Sequence, residues 1–390
     1  MKILFAADMS FNYIPECPDA VQAKEAMKEP AALFATADFS MLNLENIFGA
    51  REENEPIIKD GPNLISDPRF AEYVRALHPT VIGMANNHTK DYGERPMLET
   101  KAMFEQEGYV CIGAGKNADE AYRPAILEKD GVKVAIIATC ENEFGTASET
   151  VSGTAGYSLS RVTHAIESAK TNGCLPIIYF HGGHEGYPFP SPARRELYRH
   201  FVEIGAAAVI SMHSHCPQGY EIYRNAPIVY GMGNFYFPHF PMAEEENPAW
   251  FHGYMTELNV TNEAIGLTIH PYRFDDSITL LTGEERAHFD AYMEYLNEPI
   301  KTEHELERWF DSWCLVPSRF GYYQKLFPIQ PDMAIDGNAA YFTPLKNVMG
   351  CEAHAELVKN LLYMLYEERV EAARPGVKRI EMLQHMQIPN

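Results

Sequence analysis

Five short segments of this 390-residue chain place carboxylate, amide and imidazole groups just after apolar runs. Asp8 follows residues 3–7, and Asn43-Leu44-Glu45-Asn46 closes residues 39–44. Asn86-Asn87-His88 follows 80–84, with Asp91 three residues on. His181-Gly182-Gly183-His184-Glu185 follows 176–180, and His213-Ser214-His215 follows 206–210. Asp, Glu, Asn and His are together the donor set of manganese, iron and zinc. Each segment alone has a plainer explanation. An Asp after a strand forms a turn or caps a helix, Asn-Asn-His satisfies its own backbone, and 15 histidines bring some pairs close by chance. Recurrence at five run ends in one direction is different. Ligands of α/β sheets collect beyond the carboxyl ends of strands, so these groups are expected to converge on one metal site. His213 and His215, two apart on extended chain, share a face.

The elements that must position these groups follow from periodicity. Residues 3–7, 39–44, 80–84, 176–180 and 206–210 read as strands, with helices over 67–77 and 193–204 between them. Residues 125–128 and 133–138 form a hairpin around Asp130-Gly131, and 220–223 with 228–230 a second around Arg224-Asn225. Strands alternating with helices give an α/β core, and the hairpins make its sheets mixed. After Phe240 the texture changes: residues 244–248 read as a loop, 254–260 and 266–272 alternate as strands, and 283–297, 302–314 and 353–370 have helical spacing. The expected division is a core unit over 1–275 and a mostly helical extension over 276–390.

The formal charge is 32 − 54 = −22, which disfavours partners that recruit Lys and Arg, so no nucleic acid is expected. A bound cation can still bring in an anionic substrate. Seven widely spaced cysteines without a CxxC fit neither a disulfide framework nor a cysteine zinc site, and they fit a reducing compartment. The start of the chain lacks the apolar core of a signal peptide, and no membrane span is expected, so a cytoplasmic location is the expectation. Gly113-Ala114-Gly115-Lys116 lacks the spacing of a nucleotide loop, and no Gly-x-Ser-x-Gly occurs.

In order along the chain, Ala7-Asp8, Asn43-Leu44-Glu45, Asn86-Asn87-His88 with Asp91 and Gly93, Gly113-x-Gly115, His181-x-Gly183-x-Glu185, His213-x-His215 and Gly233-Asn234-Phe235 resemble the bacterial capsule-synthesis CapA (poly-γ-glutamate biosynthesis, PGA_cap) family. That family is a branch similar to the calcineurin-like metallophosphoesterases, and the likeness runs from about residue 1 to 240. The resemblance implies a metallophosphoesterase-like α/β/β/α sandwich of two mixed sheets, here with a helical C-terminal appendage. It implies Asp8, Glu45, Asn87, His181, His213 and His215 as ligands of one or two divalent ions (manganese, iron or zinc), with Glu45 as the bridging carboxylate. His88 matches the histidine that protonates a leaving group, and Glu185 faces the substrate or supports the site. Arg194 and Arg195, after the His181 segment, are candidates to fork onto an anion.

The sequence also departs from the pattern. Asp8-Met9-Ser10 replaces Asp-x-His, Gly182 stands where an aromatic follows the first histidine of that segment, and Ser211 opens the His-x-His motif. The expected function is a metal-dependent hydrolase of the CapA-like type. Phosphoester cleavage by a metal-bound hydroxide, with His88 as general acid, is the first expectation. Amide or peptide (glutamyl) hydrolysis at the same site is the enzymatic alternative, and a non-catalytic poly-γ-glutamate or capsule biosynthesis component the other. The expected substrate is a small or polymeric anion.

Overall fold

The computed structural model describes every residue except 15, 18, 242–246, 318–342 and 390. Fourteen strands build its two large sheets: β1 (Lys2–Met9), β2 (Phe39–Leu44), β3 (Val81–Gly83), β4 (Val110–Ile112), β5 (Ala125–Lys129), β6 (Val132–Cys140), β7 (Leu175–His181), β8 (Ala208–Met212), β9 (Tyr220–Tyr223), β10 (Ala226–Val229), β11 (Asn234–Tyr236), β12 (His252–Val260), β13 (Ile265–Phe274) and β14 (Ile278–Leu280). The first sheet runs β14-β13-β12-β1-β2-β3-β4, with β11 also paired to β1. The second runs β9-β10-β8-β7-β6-β5. Each is mixed. β1, β2, β3, β4 and β11 are parallel, as are β6, β7, β8 and β10, while the hairpins and β12–β14 are antiparallel.

The apolar runs are continuous rather than alternating because these strands are covered on both faces. Leu4, Phe5, Ile82, Ile136, Ile178 and Val209 are all buried. The sheets face each other: Phe5 and Tyr179 stack at 6.0 Å, and the Tyr179 hydroxyl donates to the Ala6 carbonyl across the interface at 2.8 Å. Helices cover the outer faces. They include α1 (Ala71–Leu77) and α2 (Glu94–Gln106) by the first sheet, and α3 (Leu159–Thr171) and α4 (Pro192–Ile204) by the second. The expected α/β/β/α sandwich is therefore present. The hairpin at Arg224-Asn225 has both residues at positive φ, 48° and 68°, as a two-residue turn twisted with its strands requires.

The expected boundaries shift little. Asp67 caps the start of the 67–77 helical segment by accepting from the Arg69 amide, and α4 begins at Pro192 behind its Ser191 cap. The sheet continues to Leu280, a few residues past 275. The expected loop at 244–248 lies mostly outside the described residues. The helical C-terminal region comprises α5 (Gly283–Ile300), α6 (Glu303–Trp313), α7 (Thr343–Gly350), α8 (Glu352–Tyr366) and α9 (Val370–Gln384). Among the described residues no helix is long and apolar enough to cross a membrane, and the seven cysteines form no disulfide.

Candidate metal centre

All the parallel strands of both sheets end at one edge of the sandwich, and β1 and β8 meet there. The His213 amide donates to Asp8 Oδ2 at 2.8 Å, tying the sheets together at the ends of these strands. Asp8, Glu45, His181 and His213 are almost wholly buried, and Asn87, His88 and His215 nearly so. The structure thus brings together six expected ligands and His88.

Two donor trios share one carboxylate. Glu45 with His181 and His213 forms one, and Asp8 with Glu45 and His215 the other, each with its ligand atoms within 4.8 Å of one another. In the first, His181 Nε2 lies 3.0 Å from both Asn87 Oδ1 and His213 Nδ1, and 3.6 Å from Glu45 Oε1. In the second, His215 Nε2 is 3.8 Å from Glu45 Oε1. Both Glu45 oxygens are buried without a hydrogen-bond donor. A carboxylate in that position is costly unless a charge compensates it. Burial, then the charges of Asp8 and Glu185, push the Glu45 carboxyl well above the usual carboxylate range. Burial, then His181 and His215, hold His213 well below the usual histidine value. Burial opposes ionisation of Asp8, but His181 beside it brings its carboxyl below the ordinary value. An acceptor-rich set of this kind fits divalent cations, whose charge reverses each of these penalties.

Outer groups orient the imidazoles. His215 Nδ1 donates to Asn234 Oδ1 at 2.8 Å, which turns Nε2 toward Glu45. Asn234 in turn donates to the Trp250 carbonyl at 3.0 Å, so Gly233-Asn234-Phe235 has a positional role. Gly233 sits at φ 77° with the His252 carbonyl 2.6 Å from where a Cβ would stand. Gly113 is likewise at φ 90°, pressed against the backbone of Ala85 next to the Asn86-Asn87-His88 segment. His213 and His215 themselves adopt positive φ, 93° and 52°. Such conformations cost on the order of 1–3 kcal/mol each and persist only where the surroundings enforce them.

His88 faces the same centre. Its Nδ1 donates to Asp91 Oδ2 at 2.7 Å, and its Nε2 is 3.8 Å from Glu45 Oε1. Lys59, which sequence reasoning misses, ion-pairs with the other Asp91 oxygen beside His88. Burial, then the Lys59 charge, lowers the His88 pKa. No motif marks Lys59, because it lies in irregular chain and is close only in space.

Sequence reasoning misses Glu143 too. The Asn87 amide donates to its Oε2 at 3.5 Å, and its Oε1 is 4.0 Å from His213 Nε2. Burial, then the Glu185 charge, raises its carboxyl to about 7. A signal is present: Glu141-Asn142-Glu143 follows β6, a sixth parallel strand end, which hairpin logic treats only as an arm. Glu185 is 47% exposed and reaches within 4.0 Å of His213 Nε2, on the solvent side of the centre.

The structure does not bring the arginines to this cluster. Arg194 is buried in an ion pair with Glu141 and lies over the rings of Phe180 and Tyr198 at 4.7 and 5.5 Å. Glu141 accepts from the Gly183 amide at 3.2 Å, so the pair braces the His181 loop from behind. Arg195 is buried as well. Where the related pattern has an imidazole, Ser10 is buried with its hydroxyl 3.5 Å from Asn46 Oδ1.

The C-terminal helices hold the site loops from the other side. Trp313 stacks on Tyr187 at 5.0 Å, and Trp309 packs on Phe189 at 4.8 Å. Glu356 accepts from Ser191 Oγ at 2.7 Å and from His184 Nε2 at 3.4 Å, and Glu352 accepts from the Asn142 backbone and side-chain amides at 3.0 and 2.6 Å. Burial would raise the Glu356 carboxyl, but His184 and Ser191 bring it below the usual range.

Comparison with known proteins adds a family. The model of the family described as bacterial capsule synthesis protein PGA_cap matches residues 4–239. The capsule biosynthesis protein CapA of Bacillus anthracis is 29% identical over 164 residues, 40% of this chain and 40% of that protein. The PGA biosynthesis protein CapA of Bacillus subtilis (strain 168) is 23% identical over 232 residues, 59% of this chain and 61% of that one. The chain thus spans less than two thirds of the length of either relative. Among solved structures, a hypothetical protein from Thermus thermophilus aligns at 10% identity and TM-score 0.43, over 72% of this chain and 100% of that one. A 5'-nucleotidase precursor of the same organism aligns at 10% identity and TM-score 0.41, over 72% and 54%. These structural likenesses are too loose to transfer chemistry.

Proposed function

We propose that this chain, which belongs to the bacterial capsule synthesis protein PGA_cap family, is a metal-dependent hydrolase that cleaves phosphoesters in a small or polymeric anion. The observation that carries the reading is Glu45: a buried carboxylate without a donor, shared by two donor trios, with His88 facing it. Asp8, Glu45 and His215 would hold one divalent cation, and Glu45, Asn87, His181 and His213 the other. Such a pair supplies Lewis-acid neutralisation of a phosphoryl oxygen and a nucleophilic water at neutral pH.

The chain's own groups do the rest. Asp91 fixes the His88 ring so that Nε2 points inward. Burial and Lys59 lower the His88 pKa, which disfavours the imidazolium in the empty site but makes it a readier donor once protonated, and its Nε2 is the group proposed to protonate a leaving oxygen. Asn234 fixes the His215 tautomer, and Glu143 orients the Asn87 amide so that its oxygen faces His181. Glu185, at the solvent side, is proposed to meet the incoming substrate. In this reading Arg194 braces the His181 loop rather than binding substrate. The division into a sandwich unit and a helical extension near residue 275, and a cytoplasmic location argued from cysteine usage, belong to the same proposal.

The capsule and PGA biosynthesis names of the relatives favour a second substrate class, a glutamyl amide, at the same centre. The test is elemental analysis of protein purified without chelator, beside His215→Ala. Both are assayed with manganese on phosphomonoesters, phosphodiesters and γ-glutamyl peptides. One or two divalent ions per chain, reduced in the variant together with phosphoester turnover, are expected. Turnover of the peptides alone selects the second class, metal without turnover points to an assembly component, and absence of both metal and turnover overturns the proposal.

A further inference from the structure

A second group of metal-type donors lies where the C-terminal helices meet the β6 loop. Glu143, Cys351 and His354 each offer one ligand atom, and the three atoms lie within 4.8 Å of one another. Cys351 caps the start of α8 and His354 sits in its first turn, so the i, i+3 spacing puts both on one face of the helix. Cys351 Sγ is 3.5 Å from Glu141 Oε2 and 3.8 Å from Glu143 Oε1. Cys351 is buried, the Glu143 side chain is 8% exposed, and His354 is half-buried. The frame around them is fixed: Glu352 holds both amides of Asn142, and the Lys346 amine donates to the Glu143 carbonyl.

We propose that Glu143, Cys351 and His354 form a separate cation site, selective for a thiolate-accepting divalent transition metal such as zinc, cobalt or ferrous iron. Sulfur excludes magnesium and calcium, which take oxygen ligands. On binding, the Cys351 thiol and the protonated fraction of the Glu143 carboxyl give their protons to solvent. The thiolate, the Glu143 carboxylate and the neutral imidazole then supply three of four tetrahedral positions, which leaves one for water or a further ligand. Glu143 Oε1, 4.0 Å from His213 Nε2, links this site to the central cluster, while the donors of that cluster are nitrogen and oxygen alone. The site therefore couples the docking of α8 to the metal centre, and it stands whether or not the chain is a phosphoesterase.

Cobalt titrated into the chelator-treated full chain tests this, because only a thiolate ligand produces a sulfur-to-cobalt charge-transfer band in the near ultraviolet. The band is expected in the wild-type chain, lost in Cys351→Ser and kept in His181→Ala. In His354→Gln it should require on the order of tenfold more cobalt or higher. No band at saturating cobalt, or a band that survives Cys351→Ser, overturns the proposal. If Cys351→Ser fails to fold, zinc-edge X-ray absorption of the zinc-loaded wild-type chain decides instead: a sulfur scatterer supports the site and its absence overturns it.

Discussion

Replacing Asn234 by Ala removes the acceptor that fixes the His215 ring. That hydrogen bond is 2.8 Å long and buried, and it directs Nε2 toward Glu45. Without it, the imidazole carries its proton on either nitrogen and rotates, so the Asp8–Glu45–His215 trio loses one oriented donor. Loss of such an outer partner weakens metal binding about 10–100-fold, which is about 1.4–2.7 kcal/mol. The other trio keeps its supports, since His181 Nδ1 rests 3.2 Å from Asn43 Nδ2 and 3.3 Å from Asp8 Oδ1. Manganese titration against a competing chelator should therefore show one weakened site and one nearly unchanged. Folding stability falls separately, because the His215 N–H and the Trp250 carbonyl lose their partner, at about 1–3 kcal/mol for each group left unpaired. Asn234→Asp keeps the acceptor and should keep the binding. Equal weakening of both sites, or full affinity in Asn234→Ala, would refute the assignment of Asn234 to one trio.

Three further outcomes are expected. Arg194→Met should lower unfolding stability in urea by about 3–5 kcal/mol, because it leaves Glu141 buried and unpaired, and adding Glu141→Gln should restore most of the loss; a single-variant loss below about 1 kcal/mol would count against the brace. Glu356→Gln should destabilise the chain at neutral pH. Because the folded carboxyl lies below its ordinary value, the wild-type advantage is fully present above the unfolded Glu pKa and fades as pH falls through the folded one, so denaturation curves of the two proteins should converge in acid; a gap that persists there would sink the linkage. His88→Asn should reduce phosphoester turnover about 10²–10⁴-fold with the metal content unchanged, and metal loss in this variant would recast His88 as a ligand.

Much of this architecture is legible in the sequence because the buried parallel strands are short apolar runs closed by polar residues. Residues 39–44 and 176–180 stand out for that reason, and their polar ends sit at the cluster. Hairpin logic is sound for β5 and β6 but hides the other half of β6, which also runs parallel beside β7 and delivers Glu141 and Glu143. Lys59 is invisible because it lies in irregular chain and pairs with Asp91, 32 residues away. The arginines after His181 mislead for a different reason. Helical periodicity of α4 places Arg194 against the sheet, where Glu141 and two aromatic rings receive it. Nothing in the local pattern of 343–370 announces that Cys351, Glu352 and Glu356 reach back to loops more than 160 residues earlier.

The left-handed backbone at His213 and His215 gives the centre a cost that is present whether or not a cation is bound. Selection for heat tolerance in chelator would then reward replacements at these two positions, glycine above all, because relaxing the turn stabilises a chain that has nothing to coordinate. The same selection in metal-rich medium would reject them. Descendants thermostabilised without metal should therefore drift toward a sturdier scaffold that has lost the proposed donors at these two positions.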